Sequence, residues 1–142
     1  MEVMEKRMSI LQDRVLEYLN KHRESITSYR LAKELDAEPI KVDKVVASSG
    51  LNGLIRKETG TRFSTYSINL DENGDINWPD EYKAVRNVLS KAKEPVSMLE
   101  ISKKSGIDRR RVAVILNNLC ILGYADYKTR VVSIKKECLY FE

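Results

Sequence analysis

The chain is poorest in the residues that hold metals and attack substrates. Among 142 residues it has one histidine, His22, and two cysteines, Cys120 and Cys138. None of the three has a second His or Cys at ligand spacing, which excludes a zinc or iron–sulfur centre of ordinary form. No Ser or Cys nucleophile is placed near His22. There is no phosphate-cradling glycine loop and no paired-carboxylate motif, so neither catalysis nor a cofactor is expected. Long apolar runs are missing too. Nothing approaches the roughly 20 residues of a membrane span. The opening "MEVMEKRMSILQ" alternates charge without an apolar stretch, so no secretory signal is expected and the two thiols read as free in a reducing cytoplasm.

Charge is plentiful, and unevenly placed. Residues 1–70 carry 12 Lys and Arg against 10 Asp and Glu, residues 71–81 carry 5 acids and no base, and residues 82–142 carry 13 bases against 6 acids. The basic balance therefore sits in the C-terminal half. The acidic stretch "DENGDINWPDE" alternates Asp71, Asn73, Asp75 and Asn77 in the manner of a calcium loop. An EF-hand needs Gly at its sixth position and Glu at its twelfth; Ile76 and Tyr82 stand there, so no metal is expected. Asn73-Gly74 predicts a two-residue hairpin turn instead. It would fold an extra strand back on the preceding hairpin, with Trp78 between two domains.

Those domains are inferred from a repeat. Shifted by 70 residues, the sequence superposes on itself without gaps. Val15 falls on Val85, Leu19 on Leu89, Ile26 on Val96, Leu31 on Ile101, Val42 on Val112, Val45 on Ile115 and Gly53 on Gly123. Two copies of one small unit are implied. In the second copy Tyr82, Val85, Val88 and Leu89 share a helical face that ends before Pro95. Ser97 and Glu100 form a capping box for a second helix, closed by Gly106. Asp108 caps a third helix with core face Val112, Ile115, Leu116 and Leu119, ended by Gly123. "YADYKTRVVSIKK" then predicts a short hairpin. The first copy predicts a helix over 10–22, a second from Ser28 to Leu35, and a third opened by Pro39. Gly50 and Gly53 weaken "VASSGLNGL" as a helix. The hairpin of this copy, "LIRKETGTRFSTYSINL", reads as the longer of the two. The class is α+β, mostly α, with domains at 1–70 and 81–142 and an acidic hairpin linker at 71–80.

Three helices and then a hairpin resemble the winged helix-turn-helix superfamily, here in tandem. The segment "VSMLEISKKSGIDRRRVAVILNNLCILGYAD" is the closest match, through Ile101-Ser102, Gly106-Ile107, Val112, Leu116, Leu119 and Gly123-Tyr124. The first wing, "IRKETGTRFSTYSI", is also similar to the wing of Z-DNA-binding domains. It has Arg62-Phe63 where those carry paired prolines, and Ala47 where they use an aromatic.

The resemblance makes the helix after Asp108 a recognition helix, and its first turn holds Arg109, Arg110 and Arg111. A helix N-terminus carries about half a positive charge, so cations there cost roughly 0.3–1 kcal/mol each unless something rewards them. Phosphates or guanine edges in a major groove would. Ala113, Val114 and Asn117 share the outward face, Asn118 is expected on its flank, and Lys103 and Lys104 precede it. Lys128 and Arg130 lie on the wing with Lys135 and Lys136. In the first copy Lys44, Arg56, Lys57 and Arg62 are basic, but Asp43 faces outward where phosphate would repel it. The implied function is a double-stranded DNA-binding regulator of transcription, cytoplasmic or nucleoid-associated. The alternative is a protein–protein interaction subunit of a chromosome-partitioning or RNA polymerase-associated complex, with a partner at the first domain, and with exposed Val114 and the "CLYFE" tail favouring a partner or a self-interface. Met4, Met8, Leu11, Val15 and Tyr18 step by four and three, the seam of a homodimer through the first helix.

Overall fold

Helices form where the apolar spacing and caps permit, and the same order recurs. The computed structural model describes the backbone of residues 2–60, 62, 64–132 and 135–142, with side chains for all of these except 2–9, 49 and 128–138. The fold is α+β, with six α-helices and two three-stranded antiparallel sheets among the described residues. The chain divides into two compact units, Met1–Trp78 and Pro79–Glu142.

The first unit runs α1 (Glu2–Lys21), β1 (Ile26–Thr27), α2 (Ser28–Glu34), α3 (Pro39–Val46), a 3-10 turn (Ser49–Leu51), β2 (Ile55–Thr59) and β3 (Ser64–Ile68). The second runs α4 (Asp80–Lys91), β4 (Val96–Ser97), α5 (Met98–Ser105), α6 (Arg109–Leu122), β5 (Asp126–Val132) and β6 (Lys135–Phe141). In each, the short first strand pairs with the last, giving orders β1-β3-β2 and β4-β6-β5. Equivalent side chains make equivalent caps. Thr27 accepts from the Arg30 amide and Ser97 from the Glu100 amide, each at 3.2 Å, satisfying one orphan donor at each helix start.

The first core collects Val15, Leu16, Leu19, Leu31, Val42, Leu51, Leu54 and Tyr66, and the second Tyr82, Val85, Ile101, Val112, Ile115, Leu116 and Leu119, all buried. Val15 of the N-terminal seam is therefore spent inside its own unit. Tyr18 stacks on His22 with ring centroids 4.5 Å apart, and Leu11 is half-buried. The side chains of Met4 and Met8 lie outside the described residues. No described helix is long and apolar enough to cross a membrane.

Three sequence expectations are corrected. The second hairpin is the longer one, with seven-residue strands paired from Asp126–Phe141 to Val132–Lys135, against five-residue strands in the first. The cause is at the chain's end: "CLYFE" is not a tail but the end of β6, where Leu139 is buried. The Asn73-Gly74 turn is not a two-residue loop. Asp71 pairs with Asp75 through backbone, and its carboxylate also accepts from the Asn73 and Asp75 amides at 2.8 and 3.1 Å. That side-chain capture holds a three-residue loop, and beyond it only one bridge, Leu70–Ile76, forms among the described residues. Finally, Asn118 is not on an exposed flank; it is fully buried.

Candidate nucleic-acid interface

The start of α6 is positioned by a turn built from serines. Ser102 Oγ donates to the Ile107 carbonyl at 2.6 Å, and Ser105 Oγ donates to the Ile101 carbonyl at 2.6 Å while accepting from the Ile107 amide. Gly106 closes α5 in the left-handed region at φ 75°. A side chain at φ near +75° is strained, which is why glycine serves there. Asp108 then caps α6, its Oδ2 accepting from the Arg110 amide at 3.1 Å. This carboxylate offsets part of the dipole penalty on the arginines behind it.

The three arginines separate. Arg109 and Arg110 are exposed. Arg111 turns toward α4, its Nε donating to Glu81 Oε1 at 3.2 Å, with its side chain 21% exposed. Two turns further along α6, Asn118 Nδ2 donates to the Tyr82 hydroxyl at 2.7 Å in the buried core. Arg111 and Asn118 are seven residues apart and so share a helical stripe facing α4. Burial pushes the Tyr82 phenol above its ordinary value. Sequence reasoning missed Asn118, although the signal was present. Asn118 stands three residues after Ile115 and four before Leu122, on an apolar stripe.

The outward stripe of α6 carries Arg110, Val114 and Asn117, with Arg109 and Ala113 beside it. Asn117 is exposed, and Ala113 and Val114 are half-buried. Lys103 and Lys104 are exposed in the last turn of α5. Lys128 and Arg130 fall on β5, but their side chains, like those of Lys135 and Lys136, lie outside the described residues. Together these place a cationic start and an amide-bearing face on one helix, and α6 itself contains no acid from Arg109 to Leu122.

The first unit presents a different surface. Lys44, Lys57 and Arg62 are exposed. Arg56 is tethered, its Nη2 donating to Asn69 Oδ1 at 3.2 Å and the Leu70 carbonyl at 3.1 Å. Asp43 accepts from the Tyr66 hydroxyl at 2.6 Å. Burial, and then the Asp43 hydrogen bond and charge, hold that phenol well above its ordinary range. Tyr29 and Ile40 are 67% and 61% exposed. By the 70-residue repeat Ile40 occupies the place of Arg110 and Asp43 that of Ala113.

Burial also raises the Cys120 thiol, with the Asp126 charge adding to it, which keeps the sulfur out of its nucleophilic form. No family model matches the chain, and no curated protein matches its sequence.

Proposed function

We propose that the chain is a tandem winged-helix protein that binds double-stranded DNA as a regulator of transcription. The second unit reads the duplex and the protein acts by binding, without catalysis. The observation that carries this reading is the pair of exposed guanidiniums, Arg109 and Arg110, on the same side of α6 as exposed Asn117. Arginine matches phosphates and guanine edges, and an amide matches adenine. Three helices and a hairpin in each unit, repeated in one order, support the winged-helix assignment. A homodimer through Met4, Met8 and Leu11 belongs to the same reading.

A second reading applies to the first unit. Its third helix carries Ile40 and Asp43 where the second has Arg110 and Ala113. An exposed isoleucine and an acid suit a protein surface better than phosphate. On this reading the first unit docks a partner protein, as in a chromosome-partitioning or RNA polymerase-associated subunit.

Electrophoretic retardation of random duplex at about 0.1 M salt tests the DNA reading, since sequence-independent binding rests on phosphate contacts and needs no particular target. A shift abolished by Arg109→Ala/Arg110→Ala supports it. Failure of the wild-type protein to shift duplex, with specific capture of one protein through the first unit, transfers the function to the second reading.

A further inference from the structure

In the first unit a cavity of about 220 Å³ opens between α3 and the β2–β3 hairpin. Its walls are apolar at Val46, Ala47, Leu51 and Ile55, and two charged residues, Asp43 and Lys57, line it with Tyr66. Tyr66 is fully buried and its hydroxyl fixes the Asp43 carboxylate. Lys57 stands directly across from Tyr66 in the sheet register. Directly opposed residues project from one sheet face, with Cβ atoms about 4.5–5.5 Å apart. The Lys57 ammonium and the Asp43 carboxylate therefore belong to the same rim, yet no ion pair joins these two described residues. An anchored carboxylate, an ammonium and an apolar wall together match a molecule with the opposite charges and an apolar body. The volume lies below the roughly 300–1,000 Å³ of pockets for drug-sized ligands, which restricts the occupant to about ten non-hydrogen atoms.

We propose that this cavity binds a small zwitterion, an α-amino acid with an apolar side chain. Its ammonium rests on Asp43, its carboxylate on Lys57, and its side chain lies against Val46, Leu51 and Ile55. The second unit supplies an internal control, because the 70-residue repeat puts Ala113 and Tyr127 at the positions of Asp43 and Lys57. The site is thus confined to the first unit and does not depend on whether the second binds DNA.

Backbone amide NMR of the full chain tests this, with L-leucine and L-methionine as probes and no DNA present. Saturable shifts are expected at residues 43–57 and 66 and none within 79–142. N-acetyl-leucine, which lacks the ammonium, and leucinamide, which lacks the carboxylate, are each expected to bind at least tenfold more weakly. Asp43→Asn keeps an acceptor for Tyr66, and Lys57→Met changes an exposed side chain, so both retain the fold, and each is expected to weaken leucine at least tenfold. Should Asp43→Asn lose dispersed resonances, Lys57→Met alone decides. No saturable shift in the first unit overturns the proposal. So does binding of the two derivatives as tight as that of leucine, which means an apolar hollow only, or wild-type affinity in Lys57→Met.

Discussion

Replacing Arg109 and Arg110 by alanine removes two exposed guanidiniums and nothing from the core. Duplex affinity is expected to fall, and the dependence of log affinity on log salt to flatten by about two, at roughly 0.9 per phosphate neutralised. Arg111→Ala acts elsewhere. It breaks a half-exposed pair with Glu81, so stability is expected to drop by no more than about 1 kcal/mol with the salt slope unchanged. A fluorescence-anisotropy salt titration beside urea melts separates the two; a slope change in Arg111→Ala of the same size would show it on phosphate. Asn118→Ala is the severe change. It withdraws a buried donor from the Tyr82 hydroxyl, and a loss of about 1–3 kcal/mol is expected in equilibrium unfolding.

At the scale of elements, the turns that close α5 and α6 set how the third helix is presented. Gly106 and Gly123 both lie in the left-handed region, at φ 75° and 84°, and a Cβ added at either meets nothing within 4 Å. The cost of Gly106→Ala or Gly123→Ala is therefore backbone strain alone, about 1–2 kcal/mol each, read from thermal melts. Both units are expected to lose stability in alkali. The Tyr66 phenol is held well above its unfolded value near 10, and that of Tyr82 is raised as well. Folded protein thus keeps protons that unfolded chain releases, so stability is intact below about pH 10 and falls as pH rises past it. Tyr66→Phe is expected to lose part of that alkaline slope in denaturant melts at pH 8 and 11; an unchanged slope would assign the effect to other groups.

On the scale of the whole molecule, one repeat carries two different surfaces. The second unit has Arg110 and Ala113 where the first has Ile40 and Asp43, on the same order of elements. Apolar positions and the N-cap of the second helix are shared between the copies, while the third helix is purely cationic in the second copy and mixed in charge in the first. Self-association through α1 is a separate matter. Light scattering is expected to report a dimer that Leu11→Glu dissociates, and a wild-type monomer at high concentration removes the idea. Val15 contributes nothing to that surface, since it is buried in its own core.

Helix order, the caps at Ser97 and Asp108, the closing glycines and the core stripe of α6 were legible in the sequence. Each is a local event: a hydroxyl or carboxylate reaching an amide two or three residues on, or apolar residues recurring at a helical period. The exposed stretch of α6 could be named from the same period. What only the tertiary structure decided depends on partners far along the chain. Arg111 is claimed by Glu81, 30 residues away; Asn118 by Tyr82, 36 away; and Asp43 by Tyr66, 23 away. Hairpin length was decided in the same way, because β4 pairs with the end of β6 and draws residues 139–140 into the sheet. A period shows which face a residue occupies, but not which distant side chain arrives there. That arrival separates two exposed arginines from a third held within the fold.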